Sequence, residues 1–306
     1  MEMNLLSDLA LILISAGIVT IIFKLLKQPL VLGYIVAGFL VGPHFDLFPT
    51  IIEKESVHQW SEIGIIFLMF TLGLEFSFKK LFKVGASAFL TAGAGILLTF
   101  CISFLVGIMM NWSFMESIFL GGMLSISSTT TIIKAFDDLK ITKQRFSDLT
   151  LVVLILQDLV AIIMMVMLST AAVSQKFSGS EMFGSIMKLL FFLVLWFVIG
   201  IAIIPSFFRR TKKYVNDETL LIISIGLCFG MVTFANYVGF SSALGAFVMG
   251  SILSETVEGP HIEKMTQSIK NLFGSIFFVS VGMMVDPKVL GEYWFPILIL
   301  TLLTIF

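Results

Sequence analysis

Apolar stretches follow one another along almost the whole chain, most of them near the length of about 20 residues that an α-helix needs to cross a bilayer, and charged or Gly/Pro-containing segments separate them. Nothing in the chain restricts its fold more. In hydrocarbon every backbone N–H and C=O must be paired within the segment, so repeated runs of this length read as membrane helices. The reading predicts an all-α, polytopic membrane protein with about eleven helices: 5–26, 29–41, 57–78, 81–110, 112–136, 148–170, 183–208, 215–238, 241–254, 268–285, and 294 onward. Composition agrees. Hydrophobic residues make up 58% and charged residues 13%, with a mean hydropathy of +1.05, where soluble domains carry about 45–50% apolar and 25% charged residues.

Net charge is −1, so no basic excess is available to hold nucleic acid, and none is expected as a partner. Cys101 and Cys228 each sit in an apolar run and read as ordinary buried residues. The N-terminus carries Glu2 and Asp8 in place of a basic leader, so the first run reads as a retained span. The last run reaches Phe306 without cap or charge, and further helices are expected beyond it.

When the loops are assigned alternately to the two sides, Lys24, Lys27, Lys79, Lys80, Lys83, Lys134, Lys140, Lys143, Arg145, Arg209, Arg210, Lys212, Lys213, Lys264 and Lys270 fall together, against Lys54, Lys176, Lys188 and Lys288. The crowded side is expected to be cytoplasmic, with the N-terminus outside.

The sequence also repeats itself. Leu32-Gly33 and Gly38 match Leu244-Gly245 and Gly250 at an offset of 212, and Gly73 and Leu81 match Gly282 and Leu290 at an offset of 209. An odd number of spans separates the equivalents, so the copies are expected to be inverted in the membrane. Helices 29–41 and 241–254 are both short for a span, and paired short segments are a mark of inverted-repeat transporters. The organisation read from this is a first repeat at 1–172 with six helices, a linking helix at 173–213, and a second repeat at 214–306 that stops early.

Glu62, Glu75 and Glu116 fall near helix ends, where water or headgroups reach them. Asp158 is the eleventh residue of 148–170 with apolar residues on both sides. An ionised carboxylate at that depth costs about 2.5–3.5 kcal/mol or more, so it needs a partner or a polar cavity and reads as a functional site. The helix before it carries Ser125, Ser127, Ser128, Thr129, Thr130 and Thr131. Hydroxyls compete with the backbone for hydrogen bonds, and unwinding here would free hard oxygen donors suited to an alkali cation at the depth of Asp158. The same hydroxyls also serve a merely structural reading, bonding back to the i−4 carbonyl, and Gln157 is a structural neighbour able to hold a buried Asp. Glu75 is either accessory to the site or paired with Lys79 at i+4. His44, His58 and His261 are expected in loops.

These segments resemble a known family. LVLGYIVAGFLVGP at 30–43, EIGIIFLMFTLGLE at 62–75, LSISSTTTI at 124–132, LQDLVAI at 156–162, SSALGAFVMGSILSE at 241–255 and FFVSVGMMVD at 277–286 are similar, in order, to Kef-type potassium/proton antiporters of the monovalent cation:proton antiporter-2 family. The resemblance implies an inverted-repeat antiporter fold of about thirteen helices, with a dimerisation domain, hence a homodimer, and a mobile core domain. It implies that Gln157 and Asp158 lie beside two crossed, interrupted helices, the first at Ser127 to Thr131, and that Asp158 takes cation and proton in turn. A single acid at that position resembles the electroneutral potassium branch. A bacterial-type inner membrane, K+ or Na+ and H+ as substrates, and no cofactor follow.

A Na+/H+ antiporter of the same fold is the alternative. A gated cation channel fits less well, since there is no TVGYG-like filter loop. An intramembrane protease needs a serine with a base or two aspartates at depth, and enzyme activity is not expected.

Overall fold

The computed structural model describes residues 2–43, 54–75, 86–128, 179–211 and 215–305, with isolated positions between 132 and 164. The described residues are helical or in turns: α1 (Glu2–Leu25), α2 (Leu30–Val41), α3 (Lys54–Glu75), α4 (Ala86–Met109), α5 (Phe114–Leu124), α6 (Gly179–Thr211), α7 (Asp217–Val238), α8 (Ser242–Ser254), α9 (Gly259–Met283), α10 (Pro287–Glu292) and α11 (Trp294–Ile305). Among them the segments Leu6–Leu25, Phe89–Met109, Phe191–Thr211 and Asp217–Val238 are long and apolar enough to cross a membrane, and α2, α5, α8 and most of α11 are shorter apolar helices. The helix expected at 148–170 falls largely outside the described residues.

Two sequence readings shift. α9 begins at Gly259, ahead of the apolar run at 268, because its first turns are amphipathic: Ile262 and Thr266 are buried while His261 and Lys270 remain accessible. His58 and His261 therefore lie in the early turns of α3 and α9, not in loops. A window that weighs only apolarity stops short of such polar helix starts. His44 is outside the described residues.

The chain forms two compact units, Met1–Phe76 with Leu189–Tyr293, and Ser77–Lys188 with Trp294–Phe306. In the first, Ile12 and Ala16 of α1, Ala37 and Val41 of α2, and Ile276, Val279 and Met283 of α9 form one buried cluster. Lipid is as apolar as leucine, so helices here gain from close packing rather than from escaping water, and small residues decide where backbones meet.

The glycines of the repeat do this. A Cβ on Gly250 of α8 would collide with Phe70 O, Gly73 Cα and Leu74 N of α3, and one on Gly38 of α2 would collide with Val279 O and Met283 N of α9. Adding 209 to 70 and 74 gives 279 and 283, so the two glycines meet equivalent atoms. Gly73 against Phe247 O and Gly282 against Ile35 O complete the exchange, since 35 and 247 differ by 212. Gly33 abuts α1 through Phe23 and Val19, as Gly245 abuts α7 through Met231 and Val232. The triplets α1–α3 and α7–α9 thus pack against each other by swapping partners. Gly64 lies beside Phe277, and Glu75 reaches Lys270, so α3 and α9 run antiparallel.

In the second unit, α4 and α5 form a hairpin turned at Asn111, whose φ of 60° lies in the left-handed region that Asn tolerates. Gly107 lets Ser117 approach, and Gly121 lets Phe100 approach.

Candidate ion-binding site

α5 starts on a capping box. Ser113 N–H donates to Glu116 Oε2 at 2.7 Å, and Glu116 N–H donates to Ser113 Oγ at 3.2 Å, which pairs two N–H groups that the first turn would leave open. That assigns Glu116 to holding the helix start. After 11 residues α5 ends at Leu124, well short of the expected 136. Ser125 is buried, and its Oγ–H donates to Gly122 O at 2.9 Å while its N–H donates to Gly121 O at 3.1 Å. This is the local competition that hydroxyls offer a helix, spent here at its last turn.

Ile126, Ser127 and Ser128 follow outside any helix, with Ser127 half-buried and Ser128 exposed. Ile132 N–H donates to Ser128 O at 3.1 Å, where helical bonding resumes. The break falls at the start of the hydroxyl run. Its continuation through Thr129 and Thr130 lies outside the described residues, as does Asp158.

Gln157, next in sequence to Asp158, is described. It is helical and half-buried, between the fully buried Leu154 and Leu156 on one side and the half-buried Val160 on the other. Its Oε1 is buried and accepts no hydrogen bond among the described residues. Protein interiors rarely leave a carbonyl oxygen in that condition, because burial without a partner costs about 1–3 kcal/mol. The atom is a hard oxygen acceptor available to a cation or an acidic proton.

Glu75 belongs to the first unit. Lys270 Nζ donates to its Oε1 at 2.6 Å, with the Glu 41% and the Lys 26% exposed. Of the two roles weighed for it, pairing is what the geometry gives, but with Lys270 of α9. Lys79 lies outside the described residues. The partner was invisible in sequence because antiparallel packing of α3 on α9 brings together residues 195 apart.

Three further polar contacts join residues that the sequence does not pair. Ser242 Oγ–H, at the start of α8, donates to Glu62 Oε1 at 2.8 Å and accepts from Asn236 Nδ2–H at 3.1 Å. His261 Nε2 lies 3.0 Å from Asp217 Oδ1, joining the starts of α9 and α7. Ser242, Asp217 and His261 stand at helix starts, but Glu62 lies inside α3 and Asn236 near the end of α7, and nothing in the sequence pairs them.

The profile of the sodium/hydrogen exchanger transmembrane family matches residues 10–306. The chain is 30% identical over 296 residues to the K(+)/H(+) antiporter subunit KhtU of Bacillus subtilis, covering 94% of this chain and 72% of KhtU. It is 31% identical over 302 residues to K(+) efflux antiporter 5 of Arabidopsis thaliana, covering 95% of this chain but 52% of the plant protein. To the Na(+)/H(+)-K(+) antiporter GerN of Bacillus cereus it is 28% identical, over all of this chain and 78% of GerN. The solved structure of the sodium proton antiporter MjNhaP1 from Methanocaldococcus jannaschii shares its fold with a TM-score of 0.73 at 17% identity, covering 99% of this chain and 75% of MjNhaP1. A helix pair that exchanges glycine contacts, a helix broken at serines and an unpaired carbonyl beside an acid thus sit in a chain that belongs to the sodium/hydrogen exchanger family, as an integral membrane protein with the antiporter fold.

Proposed function

We propose that this chain is the membrane part of a secondary transporter that exchanges K+ for protons by alternating access, with Asp158 taking cation and proton in turn. Gln157, Ser127, Ser128, Thr129 and Thr130 supply oxygens around the cation. The observation that carries the reading is the buried, unpaired Oε1 of Gln157 directly before the only aspartate deep in an apolar run. An alkali cation takes several hard oxygens at once, and an orphaned carbonyl beside a carboxylate is a partial shell for one. The serine-rich break after α5 adds hydroxyl and backbone oxygens of the same chemistry.

Cation and proton compete for one carboxylate, so neither charged state has to cross the bilayer uncompensated. Glu75, neutralised by Lys270, supports α3 against α9 and carries no charge across. Potassium is chosen over sodium on the names of KhtU and the plant relatives. Sodium exchange is the second reading, favoured by the name of GerN. The transporter works as a homodimer in a bacterial-type inner membrane with its N-terminus outside, and the exchange itself needs no cofactor. The experiment is proton movement in vesicles containing the full-length protein, driven in turn by K+, Na+ and Li+. Potassium drives the largest response under this reading, and a response to Na+ alone assigns the second.

A further inference from the structure

The exposed face of α6 ends in two arginines, Arg209 and Arg210. Phe191, Leu195, Val198, Ala202 and Arg209 recur at intervals of three, four or seven, so they lie on one stripe of the helix, and all are exposed, Phe191 and Val198 at 63% each. The opposite stripe, Trp196, Gly200, Ile204 and Phe208, is buried within the first unit, with Gly200 against Ile252 and Trp196 against Phe234 and Phe240. At the end of the exposed stripe Arg209 folds back on its own helix, with Nε donating to Pro205 O at 3.4 Å and Nη2 donating to Ser206 Oγ at 3.2 Å. Arg210 follows in the last turn, next to the stripe. Neither guanidinium has an acidic partner among the described residues.

We propose that this face of α6 is a binding surface for an anionic phospholipid, whose phosphate is held by Arg209 and Arg210 and whose acyl chains run along Ala202, Val198 and Leu195. From Leu195 to Arg209 the stripe is about 21 Å long at about 1.5 Å per residue, close to one leaflet with its headgroup, and it ends in positive charge that has no acidic partner among the described residues, so it is complementary in both its parts to a lipid with an acidic headgroup. The guanidinium is the group suited to a phosphate, offering parallel N–H donors that an ammonium lacks. The backbone and hydroxyl bonds of Arg209 use two of its five donors and fix its direction, leaving the others for a headgroup. The inference rests on the membrane fold and is independent of which cation is carried.

The test uses the full-length protein in phosphatidylcholine vesicles, with a photoactivatable acyl chain carried either by phosphatidylglycerol or by phosphatidylcholine, and maps the labelled peptides. The expected result is labelling of 195–209 that favours phosphatidylglycerol by about fivefold per guanidinium. Arg209→Gln with Arg210→Gln should bring phosphatidylglycerol labelling down to the phosphatidylcholine level, while phosphatidylcholine labelling of the same stripe stays constant and reports intact folding. Equal labelling of the wild type by the two probes overturns the proposal without recourse to any variant. It is equally overturned if excess inorganic phosphate abolishes the preference, or if a crosslinker placed at Val198 captures a second copy of the chain in place of lipid.

Discussion

The side-chain carbonyl of Gln157 is buried without a hydrogen-bond donor, and that condition separates two roles for the residue. If Oε1 serves only the fold, replacing it by an apolar group of similar shape relieves an unpaired polar atom and has no further effect. If it serves a cation, stability stays level or rises and affinity falls. Gln157→Leu is therefore expected to melt no lower than wild type while weakening the apparent affinity for K+ by roughly tenfold, the equivalent of one oxygen contact of about 1.4 kcal/mol. The K+ dependence of proton movement, measured beside a melting curve, checks both; unchanged affinity would remove Gln157 from the site. Glu75 makes the contrasting case. Its bond to Lys270 is partly exposed, and pairs of that kind contribute at most about 1 kcal/mol. Glu75→Gln should retain exchange and lose only a little stability, with the loss shrinking as salt is raised. Abolished exchange in a well-folded Glu75→Gln protein would give this acid a transport role.

Between helices, the decisive groups are the glycines at the two equivalent crossings. Gly250→Ala puts a methyl against the backbone of Phe70 to Leu74, and Gly38→Ala puts one against the backbone of Val279 to Met283. Backbone cannot swing away, so each should cost about 1–3 kcal/mol or more, and the two costs should be similar because the contacts are equivalent. Gly17→Ala and Gly226→Ala meet nothing within 4 Å and serve as controls without loss. Melting temperatures of the four variants decide it, and an equal melting point for crossing and control variants would deny that the crossings hold the unit together. These glycines are also what the sequence discloses best: offsets of 212 and 209 match Gly38 to Gly250 and Gly73 to Gly282. Spacing could not disclose that α3 packs on α8 and α2 on α9, because a repeat fixes equivalence and leaves partners open. The break after α5 was legible for a local reason, the hydroxyls of Ser125 to Ser128 competing with their own backbone. Glu75–Lys270, Glu62–Ser242 and His261–Asp217 were not legible, since each joins helices far apart in the chain and a single sequence carries no record of which faces meet. The polar starts of α3 and α9 escaped because their buried faces show only as a helical period, which an apolar window averages away.

For the whole molecule, the proposed exchange rests on one carboxylate shared by two ions. One cation out for one proton in moves no net charge, so exchange by the full-length protein should neither create nor follow a membrane potential, which a potential-sensitive dye in vesicles with clamped ion gradients can test. Competition adds a sign: as pH falls, protons occupy the carboxylate more of the time, and the apparent cation affinity must weaken. The most direct measurement is K+-driven proton movement by Asp158→Asn beside wild type, in the same vesicles and with melting curves for both. Asparagine keeps the volume and hydrogen-bonding capacity of aspartate but can neither bind a proton as an acid nor neutralise a cation, and losing a charge from the middle of an apolar run should not hinder insertion. The account predicts no exchange from a protein that melts at or above the wild-type temperature, whereas exchange that persists in Asp158→Asn would contradict it.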